Sequence, residues 1–466
     1  MKPEAALPEM RFSRIRAARS LPDGVPGLAL RRAILGRLAD GIRRAEPQIV
    51  AALAQDLGRN ASETALVEIL PLLQEIAHAR RNLGRWMRPR RLRTGLSGLG
   101  TRALLMTEPK GTCLILAPWN YPFVLALGPL VSCLAAGNGA IIKPSELAPA
   151  SAALIAGLVA DAVDPDLATV IEGDKTMAER LLALPFDHIF FTGSPEVGRV
   201  VMAAAARHLA SVTLELGGKS PCIVGPGADL DQAARWIVFG KFVNAGQTCI
   251  APDHVLVHDS QQDGLRAALR RAVERAYPGG LAARDLGAIV SDSHTARLTG
   301  MLGEALAEGA RLVCGGAARN RRIAPTIVEA MPEGCTLDRA EIFGPILPLI
   351  PYSDLDQALA RINDRPKPLA IYVFDRDKAM IDRVLRETSS GAVGVNLTML
   401  QFSNPRLPFG GIGTSGLGAA HGEWGFRAFS HEKPVLRNHL SPVPLLFPPY
   451  GARGARLIGW ARRLLG

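Results

Sequence analysis

From Lys110 onward the chain alternates short, β-rich apolar runs with segments of helical length, and it does so in two successive series. The first series comprises residues 111–117, 140–143, 169–172, 188–191 and 212–215. The second comprises 221–224, 254–258, 311–313, 345–350, 369–374 and 392–396. Strands separated by a helix return to the same edge of a sheet and lie parallel, with helices covering both faces. The pattern predicts an α/β fold built from two doubly wound domains, with the change between them near residues 216–220.

The remaining segments follow from that frame. At 466 residues and 48% hydrophobic content the chain is too long for one comfortable core but supplies ample apolar surface for two. Leu35, Leu38, Ile42, Ile49 and Leu53, then Leu66, Ile69, Leu72, Leu73 and Ile76, recur at helical spacing and predict a helical opening over 30–86. The first 25 residues, rich in Pro and Arg, are expected to be loosely held. The expected division is residues 1–86 with 109–215, then 216–410, a bridging arm from 87–108 and 411–445, and an amphipathic tail at 446–466. In the tail, Leu457, Trp460, Ala461, Leu464 and Leu465 share one helical face and arginines another. Packing on the body or on a second subunit is the expected use of that face, with membrane-surface contact as the sharper alternative.

Composition excludes several classes. The formal charge is +11, but Lys and Arg are spread along the chain without a nucleic-acid motif, so no nucleic-acid partner is expected. The densest basic stretch, residues 80–93, reads as a solvated helix end leading into the arm. Six cysteines without a CxxC pair, and an N-terminus without a signal-peptide core, favour a reducing, cytoplasmic compartment. The longest apolar stretch, residues 123–137, contains Gly128, Pro129 and Ser132 and falls short of the roughly 20 residues a spanning helix needs.

Four segments carry chemistry. Asn244-Ala-Gly-Gln-Thr-Cys249 places a thiol after small residues at the end of a helical run, where backbone N–H groups are expected to favour thiolate. Glu215-Leu-Gly-Gly-Lys219 puts a carboxylate at a strand end, followed by glycines that allow a ligand close. Ala117-Pro-Trp-Asn-Tyr-Pro122 holds an amide, Asn120, in a Pro-bracketed turn after the first strand. Phe191-Thr-Gly-Ser-Pro-Glu-Val-Gly198 is a Gly-bounded turn into a helix N-terminus, the type of site that faces a pyrophosphate. Taken singly, a cysteine is more often a small core hydrophobe and a Gly-x-x-x-x-Gly turn is a poor dinucleotide signal.

Together and in this order, from about residue 30 to 436, these segments resemble the aldehyde dehydrogenase superfamily, and most nearly its class 3 branch. Pro118-Trp-Asn-Tyr-Pro-Phe123, Lys143-Pro-Ser-Glu146, Phe191-Thr-Gly-Ser194, Leu214-Glu-Leu-Gly-Gly-Lys-Ser-Pro221, Glu341-Ile-Phe-Gly-Pro345, Leu407-Pro-Phe-Gly-Gly411 and Phe429-Ser-His431 all look like its signatures. Within that branch, the stretch from His78 to Arg91, Cys249-Ile-Ala-Pro-Asp253 and Pro448-Pro-Tyr-Gly451 are most similar to bacterial coniferyl-aldehyde dehydrogenases.

The resemblance implies a Rossmann-like cofactor domain, a catalytic domain, a homodimer formed through the arm, and NAD or NADP as cofactor, with no metal. It implies Cys249 as nucleophile, Asn120 with the Cys249 backbone N–H as oxyanion donors, and Glu215 as the base that hydrolyses the thioester. It places Trp119, Lys143, Glu146, Gly193, Ser194, Gly198, Leu216, Gly217, Glu341 and Phe343 around the cofactor. An acid after the second strand suits a ribose 2′-hydroxyl, and the nearby Lys143 suits a 2′-phosphate. Leu397 and Gln401 stand where coniferyl-type sequences commonly have Asp and His, and Ala420 where Tyr is usual. These departures, set near the substrate, point to an aromatic or medium-chain aliphatic aldehyde. The rival readings are an acylating enzyme that passes the acyl group to coenzyme A, and a catalytically silent interaction protein with the same fold.

Overall fold

The computed structural model describes residues 8–21, 23–95 and 98–465, with side chains up to residue 463. The side chains of Leu464 and Leu465, assigned above to the tail's apolar face, lie outside the described residues.

The first strand series forms a six-stranded sheet ordered Gly416–Leu417, Ser211–Leu216, His188–Gly193, Thr112–Leu116, Gly139–Lys143 and Ala168–Val170. Its last five strands are parallel, and Gly416–Leu417 pairs antiparallel with Glu215 and Leu214 at the edge. Thr112–Leu116 and Gly139–Lys143 are buried throughout, as a parallel sheet covered on both faces requires. Successive side chains on a strand face opposite ways, so Cys113 and Ile115 join one core and Leu114 and Leu116 another.

The helical opening covers the first of these faces: Leu35, Leu38, Ile42, Ile49, Leu53, Leu72 and Ile76 all enter the core with Cys113 and Ile115. The second face takes Phe12 and Ile15 from the helix Pro8–Arg19, with the Phe12 ring edge-on to Phe186 at 4.8 Å. This helix is therefore docked by its apolar stripe, contrary to the loose N-terminus expected from composition. One opening residue departs from the stripe. A π-turn at Ala65–Ile69 rotates Leu66 outward, leaving it 51% exposed.

The second series forms a seven-stranded sheet ordered Arg311–Cys314, Thr326–Glu329, Ile346–Tyr352, His254–His258, Pro221–Val224, Ala370–Phe374 and Ala392–Val395. All neighbours are parallel except the first pair, which is antiparallel with an irregularity between Leu312 and Cys314. Thr326–Glu329 is invisible to the sequence pattern, because Pro325 and a run of 4 residues leave too little periodicity to register.

A third, antiparallel sheet joins Arg90–Leu92, Thr101–Pro109 and Ser430–Asn438, with pairing from Ser430↔Pro109 to Asn438↔Thr101. The helix Ala452–Leu465 follows, with Leu457, Ile458 and Trp460 exposed to solvent. Among the described residues no helix is long and apolar enough to cross a membrane.

Candidate active site

The Cys249 loop begins where the helix Leu230–Phe242 ends, and its geometry is forced. Asn244, Ala245 and Gly246 take positive φ of 54°, 51° and 74° in succession, a run that costs about 1–2 kcal/mol for each residue bearing a Cβ. A Cβ on Gly246 would strike the Gly344 carbonyl, so only glycine fits there. A buried polar clamp holds the strained turn. Arg59, 1% exposed, donates to Asn244 Oδ1 at 2.6 Å, to the Asn120 carbonyl at 2.7 Å and to Glu68 Oε1 at 3.0 Å. The Asn244 N–H donates to Glu63 Oε1 at 2.8 Å, and Gln247 Nε2 to the Ala288 carbonyl at 3.1 Å. Asn120 Nδ2 donates to the Gln247 carbonyl at 2.9 Å, which ties the predicted oxyanion amide to the loop that carries the thiol.

Glu215, near the end of its strand, is 4% exposed, and neither carboxylate oxygen has a hydrogen-bond partner among the described residues. Burial alone holds its carboxyl well above the usual range. It lines one cavity of about 100 Å³ with Cys249. The cavity walls are otherwise Leu66, Val67, Pro71, Val124, Leu125, Phe239, Ile250, Met399, Leu400, Phe402 and Phe409, with Thr192, Thr248, Tyr121 and Ser403 as polar points and no Lys or Arg. Phe239 and Leu400 also border a larger surface hollow beside Trp236.

Burial pushes the Cys249 thiol up to about 12, and the charges of Glu341 and Glu215 add to the rise. The N–H groups of Cys249 and Ile250 pull the other way and lose. The turn was expected to favour thiolate; in this state desolvation and two acids outweigh it.

The predicted substrate determinants are only partly where the sequence put them. Gln401 turns away and donates to Tyr372 Oη at 2.9 Å, while Tyr372 Oη donates to the Ile250 carbonyl at 2.6 Å, so Gln401 braces the cysteine loop from behind. Its neighbours Leu400, Phe402 and Ser403 form the wall instead, and Leu397 is absent from it. Ala420 lines an adjoining chamber that also contains Glu215.

The expected cofactor residues gather at the carboxyl ends of four adjacent parallel strands, the crevice where open α/β sheets take nucleotides. Lys143, at the end of its strand, pairs with Glu146 at 2.6 Å. Ser194 caps the helix Pro195–Ala206 by accepting from the Val197 N–H. Gly198, by contrast, is buried in that helix, and a Cβ there would press on Leu216 at 2.8 Å. Gly198 and Leu216 thus pack the helix against its strand. Across the crevice the Trp119 ring stands edge-on to Phe343 at 5.5 Å and tilted to His294 at 5.4 Å. The Glu341 carboxylate lies against Gly217, where any Cβ would collide with it. Burial raises Glu341 to about 8, offset in part by the Gly218 N–H.

The sequence reading missed Arg59, Glu68, Gln247 and His294. The one available signal was Glu68, a lone acid inside the apolar run 66–73. Such a residue is buried only with a partner, and Arg59 is that partner.

The fold and this pairing of thiol and acid define a class: the chain belongs to the aldehyde dehydrogenase family, whose model, "Aldehyde dehydrogenase family", matches residues 25–435. It is 42% identical to the 4,4'-diaponeurosporen-aldehyde dehydrogenase of Staphylococcus aureus, over 91% of this chain and 92% of that one. It is 40% identical to a probable coniferyl aldehyde dehydrogenase of Pseudomonas aeruginosa, over 97% and 95% of the two chains. A solved structure titled "Substrate bound state of Staphylococcus Aureus AldH" superposes with a TM-score of 0.93 at 40% identity, covering 97% of this chain and 99% of that one. The protein is an enzyme, an NAD(P)-dependent aldehyde dehydrogenase of the class 3 kind.

Proposed function

We propose that the enzyme oxidises apolar aldehydes, aromatic or medium-chain aliphatic, through a covalent Cys249 intermediate. The observation that carries this reading is one apolar cavity lined by both Cys249 and Glu215, an acid without a hydrogen-bond partner among the described residues. The Cys249 thiol gives its proton to water, and the sulfur bonds to the aldehyde carbon as the carbonyl electrons move to oxygen. The second N–H of Asn120 Nδ2 and the Cys249 backbone N–H stabilise that oxyanion, a contribution of about 3 kcal/mol per donor. NAD(P), when bound, supplies the hydride acceptor. Glu215 then takes a proton from water as the water oxygen bonds to the thioester carbon and the carbon–sulfur bond breaks, releasing the acid.

The wall favours apolar substrates because a carboxylate-bearing semialdehyde would bury a charge with no Lys or Arg to meet it. The crevice suits a dinucleotide: Lys143 with Glu146 for the adenosine ribose, Gly193 and Ser194 for the pyrophosphate, and Trp119, Phe343 and Glu341 toward the nicotinamide end. The Lys143–Glu146 pair supports use of both NAD and NADP, since the acid suits a 2′-hydroxyl and the ammonium a 2′-phosphate. NAD(P)H formation across an aldehyde panel, run beside Cys249→Ala, tests the reading. Strong preference for short polar semialdehydes overturns the substrate class, and activity surviving in the variant overturns the nucleophile.

Two surface features support further assignments. The arm sheet leaves Leu92, Met106 and Leu436 exposed, which suits a homodimer contact checked by light scattering. Residues 433–466 contain Lys433, Arg437, Arg453, Arg456, Arg462 and Arg463 and no Asp or Glu. With Leu457 and Trp460 uncovered, this supports contact of the tail with an anionic membrane surface. Sedimentation with phosphatidylglycerol vesicles should carry down the full chain and leave a chain ending at Gly451 in solution. Equal behaviour of the two contradicts it.

A further inference from the structure

Glu215 does not close off the cavity it shares with Cys249. It also lines a second, adjoining chamber of about 40 Å³, which shares Val124, Leu125, Phe402 and Phe409 with the first and adds Ser132, Ala420, Glu75 and His421. Glu75 and His421 in turn border a third space of about 20 Å³ that reaches the exposed residue Gln74. Glu215 thus lines both the Cys249 cavity and the second chamber, and Glu75 and His421 line both the second chamber and the space beside Gln74. Phe239 and Leu400, on the Cys249 side, border a different surface hollow.

The second chamber has room for on the order of one to three waters, and its wall supplies the several polar partners that buried water needs. No described protein group reaches the Glu215 oxygens, so a proton on Glu215 has no direct protein acceptor. Ala420 keeps the space open, since its methyl group is part of the lining. Glu75 sits in the helix Leu70–Trp86, 9% exposed, and among the described residues only the Gly422 N–H reaches its carboxylate, at Oε1 and 2.7 Å. Its other oxygen has no partner among the described residues. A largely buried acid that lines a mostly apolar chamber with only one oxygen hydrogen-bonded is not explained by packing.

We propose that Glu75 is a positioning residue for the deacylation proton: the proton that Glu215 gains from the attacking water passes through water in the second chamber to Glu75 and on to solvent beside Gln74. The transfer restores Glu215 to its ionised form without opening the substrate cavity. No electrons move beyond those of thioester hydrolysis, and the proton ends on bulk water. Burial raises Glu75 to about 7, which lets it hold and release a proton near neutrality. His421, depressed to about 4 by burial, stays neutral and serves as wall.

The inference rests on Glu215 acting as the deacylation base. The test is the decay of the acyl-enzyme, followed by intact mass after rapid mixing of the full chain with NAD(P) and an aromatic aldehyde. Glu75→Gln keeps an acceptor for the Gly422 N–H, so the fold has no reason to change. It is expected to slow decay at least about fivefold, enlarge the solvent deuterium isotope effect, leave acylation unchanged, and recover in part with added imidazole or formate. Ala420→Leu, which fills the chamber and leaves both acids in place, is expected to slow decay in the same way and decides the matter if Glu75→Gln misfolds. Wild-type decay in both variants, with Glu215→Gln still blocked, overturns the relay. Wild-type decay in Glu215→Gln overturns the base assignment itself.

Discussion

Two fully buried glutamates lie on either side of the cysteine loop, and their surroundings differ completely. Glu68 receives Arg59 at 3.0 Å and the Val124 N–H at 2.8 Å, one donor on each oxygen, and these partners offset in part the burial that raises it to about 7. Glu215 receives nothing from the described protein and lines two cavities. A structural acid is buried with its partners; a working acid is buried without them, so that a substrate-side proton becomes its partner. The contrast separates the clamp that shapes the Cys249 loop from the group that acts on what Cys249 carries.

Four changes would break or sharpen that contrast. The largest expected effect is at Glu215: Glu215→Gln should slow turnover by about 10²–10⁴-fold while leaving the melting temperature unchanged or raised, since it removes an unpaired buried acid. A variant that melts much lower would make Glu215 structural after all. Next, Arg59→Ala leaves Glu68 and the Asn120 and Asn244 oxygens without their donor and should destabilise the fold by about 3–5 kcal/mol, read from urea unfolding. An unchanged midpoint would mean that the clamp does not hold the loop.

The third is a pH dependence. Only ionised Glu215 accepts a proton, and its carboxyl lies above the ordinary carboxylate range, so kcat should still be rising with pH well above pH 5. A profile already flat from pH 5 upward contradicts the desolvated environment. The smallest effect is at the cofactor crevice, where Lys143→Ala should lower kcat/KM for NADP relative to NAD by about fivefold, the size of one charge contact. An unchanged ratio would remove Lys143 from nucleotide discrimination.

Much of this molecule was legible in the sequence, for identifiable reasons. Strands such as Pro221–Val224 and His254–His258 are continuous apolar runs because both faces of a parallel sheet are covered, and that signal is local. Cys249, Glu215 and Asn120 stood out because short motifs surround them, and the fold brings the first two to one cavity while tying Asn120 to the cysteine loop. What stayed hidden depends on contacts between distant segments. Arg59 meets Asn244 across 185 residues, and Glu75 meets Gly422 across 347. Gln401 is one position from the cavity wall, and only the local backbone turn decides that it points to Tyr372. The upward shift of the thiol stayed hidden for a related reason: a motif shows the N–H groups near a sulfur but not the desolvation around it or the acids that face it.

The most direct test of the central claim is the intact mass of Glu215→Gln after mixing with an aldehyde and NAD(P). The account predicts one acyl group per chain, located on Cys249, released by hydroxylamine and absent when Cys249→Ala is combined with it. Unmodified protein despite NAD(P)H formation, or an acyl group carried by any other residue, would contradict it.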